Sequence, residues 1–221
     1  GHVVVAAEGG KHGVSRCVIA RTPDDPNADT VTGTRIIDCD LLAVSGGWSP
    51  NVNLTCHKRG RPRWCEDISA FVPANTYESE HGMLVAGAAN GALSTAAALQ
   101  EGASAAAAVA GDLGKTGTAL NFTTSDNQAY SIKPLWDVGE SKRRSWVDFQ
   151  NDVTTKDIKL AAQEGFQSVE HLKRYTTLGM ATDQGKTANL VGLAVMAEIT
   201  GRSIPETGVT IFRPPYNPVS I

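Results

Sequence analysis

Apolar positions divide the chain into two unlike halves. In the first, His2-Val3-Val4-Val5-Ala6-Ala7 reads as a buried strand. Val14 to Arg21 and Thr34 to Ile37 are further short apolar runs, separated by the turn-rich Thr22-Pro23-Asp24-Asp25-Pro26-Asn27. Together they predict a hairpin or a three-stranded meander. Asp40-Leu41-Leu42-Ala43-Val44-Ser45 shows no alternation and reads as another buried strand. It ends at Gly46-Gly47-Trp48-Ser49-Pro50-Asn51, where two glycines allow tight turning or close approach of a ligand, or form a plain loop. His81 to Gly91 reads as a strand running into small residues. The alanine-rich run from Ala92 to Val109, with Leu93, Leu99 and Val109 its large apolar side chains, predicts a helix. Strand, small-residue turn and helix in that order suit a nucleotide, because a helix start faces the crevice beyond the strand end. The same pattern also serves close packing alone.

The second half has the helical period. Thr154-Thr155-Lys156-Asp157 resembles a capping box, followed by Ile158, Leu160, Ala161 and Ala162, with Gly165 as the stop. Ser168 caps a second helix whose Val169, Leu172 and Tyr175 share a face. A third carries Leu190, Leu193, Ala194 and Ala197, and Gly201 closes it. Between the second and third lies Arg174-Tyr175-Thr176-Thr177-Leu178-Gly179-Met180-Ala181-Thr182-Asp183-Gln184-Gly185-Lys186-Thr187. Here Gly179 is expected to take the left-handed stop and Thr182 or Asp183 to cap the next helix. Its first turn would then hold Gln184, Gly185, Lys186 and Thr187. Unpaired N–H groups, a partial positive charge, a glycine, a lysine and a hydroxyl would fit a phosphate. An ordinary capped helix start with a solvated lysine is the plainer alternative.

Composition narrows the partners. The 221 residues suffice for one large domain, or for a domain plus a smaller one. A net charge of −3 gives no support for nucleic acid or an anionic membrane as partner, and the short basic run Lys142-Arg143-Arg144 reads as a solvated loop. No apolar run reaches the roughly 18 residues of a membrane span. Cys17, Cys39, Cys56 and Cys65 lack metal-site spacing, so no metal ligands are assigned and a reducing, cytoplasmic setting is the simplest expectation. The opening strand without a methionine and the closing Arg213-Pro214-Pro215-Tyr216-Asn217-Pro218 suggest an internal piece of a longer polypeptide. No residue stands out as an acid, base or nucleophile, and His171 is read as structural, so no catalytic residue is assigned.

Several stretches resemble known families. Asp40 to Leu54 and Gly82 to Ala106 are similar to the closing segments of flavoprotein reductases with two dinucleotide-binding domains. Gly47-Trp48-Ser49-Pro50-Asn51 and Leu84-Val85-Ala86-Gly87-Ala88 match their turns, except that Ala88 stands where those reductases place a flavin-binding aspartate. Val147 to Thr154 and His171 to Met180 resemble the small [2Fe–2S] module related to bacterioferritin-associated ferredoxin. The four positions matching its cysteines are Asp148, Gln150, Asp183 and Ala188, so no thiolate remains for a cluster. The combination, from about Asp40 to Ile221, resembles the alpha subunits of the heterotetrameric sarcosine oxidases.

The resemblance implies an α/β fold: the C-terminal portion of a reductase-like dinucleotide-binding part (1–112), then a linker (113–146) in which Pro134-Leu135-Trp136 is an apolar anchor. A small all-α module without iron–sulfur ligands follows (147–205), then a lead-in (206–221) to a folate-binding domain. It implies NAD near Gly87, Ala88, Leu93 and Thr95, and FMN, shared with the beta subunit, near Gln184, Gly185, Lys186 and Thr187. It further implies FAD in the beta subunit, tetrahydrofolate as the one-carbon acceptor, and beta, gamma and delta subunits as partners. A related amino-acid or opine dehydrogenase subunit, or a non-catalytic assembly module, are the alternatives.

Overall fold

A computed structural model describes residues 1–22, 32–74, 77–78, 82–124, 130–139, 144–212 and 214–217. In chain order the strands are β1 (His2–Gly10), β2 (Gly13–Arg21), β3 (Thr32–Asp38), β4 (Arg63–Cys65), β5 (Ala70–Val72), β6 (Tyr77–Glu78) and β7 (Met83–Leu84). There follow α1 (Thr95–Asp112), β8 (Trp146–Asp148), β9 (Val153–Thr154), α2 (Thr155–Gln163), α3 (Val169–Thr176), α4 (Asn189–Thr200) and α5 (Ile204–Thr207). The chain forms two compact units that do not follow chain order. One comprises 1–46, 135–181 and 185–202; the other comprises 47–134, 182–184 and 203–221.

The first unit contains the expected meander, an antiparallel sheet in the order β1-β2-β3. Ala7 lies opposite Cys17, and Cys17 opposite Ile37. β1 is half-buried rather than buried as its apolar run suggested, because an antiparallel sheet can leave one face wet. The expected turn at 23–27 lies outside the described residues. Asp40 to Ser45 is not a strand: Leu41 and Val44 are 76% and 79% exposed. Its composition suits a sheet, but a strand also needs a neighbour for its backbone groups, and no described strand pairs with it.

The same unit holds the three expected helices. α2 begins with a true capping box: the Thr154 backbone N–H donates to the Asp157 carboxylate at 2.8 Å, and the Asp157 N–H returns to the Thr154 side chain. Ser168 caps α3 by accepting from the His171 N–H at 3.3 Å. Gly201 ends α4 in the left-handed conformation. Ile158, Leu172, Leu178, Val195 and Met196 form the core with Val147 and Val153 from the β8–β9 hairpin. Trp136 packs on it, as its anchoring position suggested. Tyr175 differs from the expected face: it is exposed, its hydroxyl donates to Glu164 at 2.8 Å, and its ring stacks on Phe166. That hydrogen bond to a carboxylate holds the phenol above its usual pKa.

The second unit is built from the antiparallel pairs β4–β5 and β6–β7, with α1. Ile68, Ala70 and Val72 form its small core, with Leu93, Cys65 and Tyr130 packed on it. The predicted helix begins at Thr95 rather than Ala92, because Ser94 accepts from the Ala97 N–H at 3.2 Å and fixes the start. Among the described residues, no helix is long and apolar enough to cross a membrane.

Gly192 sets how closely α4 packs. A methyl group there would lie 2.4 Å from Leu178 Cδ2, and Leu178 is itself buried. We therefore expect Gly192→Ala to overpack the core and lower stability by roughly 1–3 kcal/mol. Urea denaturation followed by circular dichroism would measure it; an unchanged midpoint would show that Leu178 repacks freely.

Candidate cofactor-contact sites

The strand–turn–helix candidate lies in the second unit. β7 leads to a 3-10 turn at Gly87–Asn90, Gly91 turns the chain in the left-handed region, and α1 follows. A methyl at Gly91 would lie 2.9 Å from Val72, so packing and dihedral both demand glycine. Gly87, with φ of 70°, has ordinary room for a methyl. Its backbone N–H, however, already donates to the Glu101 carboxylate at 2.9 Å. Asn90 Nδ2 lies 3.3 Å from both Glu101 oxygens. Sequence reasoning missed Glu101, whose only signal was a single acid within the alanine-rich run from Ala92 to Val109. A cleft of about 500 Å³ opens beside it, lined by Leu84, Val85, Asn90, Gln100 and Ser104.

The four candidate dinucleotide residues do not share one environment. Ala88 and Thr95 are exposed. Leu93 packs on the Ile68–Val72 core, so it supports the turn from below. Gly87 sits in the turn with its donor taken by Glu101. A dinucleotide would therefore meet Ala88, Thr95 and the start of α1, where the helix dipole favours negative charge.

The junction between α3 and α4 departs from expectation. Thr177, not Gly179, takes the left-handed cap of α3; Gly179 is left-handed as well, two residues later. α4 starts at Asn189, so Gln184, Gly185, Lys186 and Thr187 are not its first turn. Gln184 and Gly185 are both left-handed, with φ of 52° and 73°, and no helix propagates through two such residues. The Gly185 carbonyl instead accepts from the Ala188 and Asn189 N–H groups.

Nor does Gly185 open the backbone to a ligand. It is buried, and a methyl there would lie 2.1 Å from Asn189 Oδ1. A methyl at Gly179 would lie 2.0 Å from the same atom. The Asn189 side chain thus fills the space that two glycines leave. Gln184 Nε2 donates to the Pro215 carbonyl. Lys186 is half-buried and Thr187 exposed. A phosphate cradle at a helix start does not fit these residues.

The residue that organises this region is Asp148, buried at 2% exposure. Its Oδ1 accepts from the Gln150 and Asn151 N–H groups at 2.9 and 3.1 Å, and Oδ2 accepts from the Gly179 N–H at 2.7 Å. Asn151 Nδ2 donates to the Thr177 carbonyl at 2.8 Å, a second tie between the same two turns. Among the described residues, no group of three or more histidine, cysteine or acidic side chains could hold a metal ion.

The fold has a solved counterpart. The crystal structure of L-proline dehydrogenase from P. horikoshii superposes with a TM-score of 0.71, covering 99% of this chain and 43% of its own at 21% identity. The sequence narrows this. Residues 142–221 match the sarcosine oxidase A3 domain. The alpha subunit of sarcosine oxidase from Rhizobium meliloti (strain 1021) is 43% identical over 189 residues, covering 85% of this chain and 19% of that protein. That from Corynebacterium sp. (strain U-96) is 36% identical over 228 residues, covering all of this chain and 23% of that protein. The chain is thus similar to a segment of the sarcosine oxidase alpha subunits, and spans about a fifth of those curated relatives' length.

Asp148→Asn tests the tie between the two turns. An amide keeps one acceptor for Gln150 and Asn151 but turns an NH2 toward the Gly179 N–H, leaving two donors face to face. We expect a loss of about 3 kcal/mol, because a buried hydrogen bond to a charged group is broken and its donor stranded. Chemical denaturation of wild type and variant checks the number, and loss of amide-exchange protection at Gly179 would localise it.

Proposed function

We propose that this segment works within a sarcosine oxidase complex. That complex would oxidise the CH–NH group of sarcosine, yield glycine, pass electrons to oxygen as hydrogen peroxide, and leave the one-carbon unit on tetrahydrofolate. The observation that carries this is the 43% identity to a sarcosine oxidase alpha subunit across 85% of the chain. On this reading the partners are beta, gamma and delta subunits in the cytoplasm, with FAD held by the beta subunit. The flavins and the nicotinamide would supply the electron transfer; the protein would bind and orient them.

In this reading the segment contributes in two places. NAD would lie along Gly87, Ala88, Leu93 and Thr95, with Leu93 supporting the turn and α1 offering its positive end. FMN, shared with the beta subunit, would meet Gln184, Gly185, Lys186 and Thr187. Of these, Lys186 carries the charge for the phosphate, while Gln184 and Gly185 shape the loop through their left-handed backbone. The module at 147–205 is read as a ferredoxin-type scaffold in which Asp148 stands at a former ligand position.

A second reading has one specific observation behind it. The likeness to L-proline dehydrogenase suits a subunit of an amino-acid dehydrogenase. At 21% identity against 43%, the oxidase reading is the stronger.

Oxygen uptake by the reconstituted complex separates the two. We expect consumption with sarcosine, matched by peroxide, and none with L-proline. The reverse substrate preference, or turnover without peroxide, would favour the dehydrogenase. Lys186→Ala is expected to lower FMN retained per complex severalfold while FAD stays constant; unchanged FMN would remove Lys186 from the site.

A further inference from the structure

Cys17 and Cys39 lie in the first unit, far in sequence from every residue assigned above. Cys17 is in the middle strand of the meander and 4% exposed. Cys39 follows β3 directly, and its N–H donates to the Ser15 carbonyl at 3.1 Å, which carries the β2–β3 ladder one step further. Because Cys17 pairs with Ile37, Cys39 is its diagonal neighbour on the same face of the sheet. Their Sγ atoms are 3.3 Å apart, and both thiols are free.

We infer that Cys17 and Cys39 form an oxidisable dithiol, converted to an intrachain disulfide by hydrogen peroxide. A disulfide needs a sulfur–sulfur distance of about 2.05 Å, so closing from 3.3 Å asks for roughly 1.3 Å of approach between the two sulfurs. Cys39 is only partly buried and is the sulfur that peroxide reaches; Cys17, buried, is the one that resolves it. The Cys39 sulfur attacks one peroxide oxygen, the O–O bond breaks, and a sulfenic acid and one water result. The Cys17 sulfur then displaces hydroxide from that sulfenic acid, forming the S–S bond and a second water. Two thiols lose two electrons and two protons in all, and one peroxide becomes two waters.

The Cys39 thiol is held above its ordinary pKa, chiefly by its hydrogen bond with Cys17, then by burial and the charges around it, which include Asp38 and Asp40. Little thiolate is therefore present, and the reaction is slow. Such a pair records sustained peroxide rather than a brief pulse. The chemistry at the two sulfurs stands apart from the proposed function. Only the source of the oxidant rests on it, since a sarcosine oxidase makes hydrogen peroxide beside its own chain. Once formed, the bridge would pin the exit of β3 to β2 at the start of the exposed run Asp40 to Gly46.

The test uses the full chain in its assembled complex, exposed to hydrogen peroxide and then alkylated without reduction. Trypsin releases Cys17–Arg21 and Ile36–Lys58 as separate peptides. We expect them to appear joined after peroxide, two mass units lighter than their sum, and to separate on reduction. Ile36–Lys58 also contains Cys56, so two variants assign the link: Cys56→Ser should keep it and Cys39→Ser should lose it. Separate peptides with every cysteine alkylated, Cys39 stopping at a sulfinic acid, or a link lost in Cys56→Ser would each overturn the proposal. A parallel sample given sarcosine and oxygen, without added peroxide, reports on the oxidant's source. A link with added peroxide but none on turnover would keep the dithiol and sink only the self-supplied oxidant.

Discussion

The Asp148 carboxylate is the constraint on which the helical half depends. It accepts three backbone N–H groups, two from its own turn and one from Gly179, 31 residues away. Without it the β8–β9 hairpin and the turn after α3 would hold together chiefly through Asn151 and the apolar core. A carboxylate taken out of water loses its solvation, and three charge-assisted hydrogen bonds are what make burial tolerable. The arrangement also removes three donors that an irregular backbone would otherwise strand. With Gly179 fixed by its N–H, the left-handed turn there is set. Asn189 can then lodge against both Gly179 and Gly185, which leaves neither glycine room for a side chain.

Local signals were legible and distant ones were not. The capping box at Thr154 and Asp157, the Ser168 cap, the Gly201 stop and the three-stranded meander are all written within a few residues of where they act. Each needs only neighbouring backbone. Asp40 to Ser45 misled because β propensity measures fit to a half-buried pleated surface, and this run has no such surface among the described strands. The helix start expected at Gln184 to Thr187 misled for a different reason. Thr182, Asp183 and Gly185 have the composition of a cap, but Gln184 adopts the left-handed region that only a long-range contact selects for such a residue. Nothing within ten residues announces Asn189 as the side chain that fills the loop.

The two halves share one device. Where a turn presents backbone donors, an internal carboxylate has taken them: Glu101 at Gly87, Asp148 at Gly179. In both places sequence reasoning expected an external group to use similar donors, a dinucleotide in one case and a flavin phosphate next to the other. A donor bonded to an internal carboxylate is satisfied before any ligand arrives, and a ligand that took it would leave the carboxylate without that partner.

This bears on how an anionic cofactor could bind such a chain. At Gly87 a phosphate approaching the N–H would also meet the Glu101 charge in the same small turn, and like charges disfavour each other. The favourable approach is therefore from the Thr95 side, where α1 offers its positive end and Ser94 has already satisfied Ala97. At the α3–α4 junction the helix begins only at Asn189 and Gly185 is covered by the Asn189 side chain, so charge for an anion would have to come from a side chain. On the proposed reading Lys186, half-buried beside the left-handed Gln184–Gly185 turn, would supply that charge. Recognition here would rest on side chains displayed by a rigid turn, and a glycine-rich look in the sequence would mark internal packing of that turn rather than an open cradle.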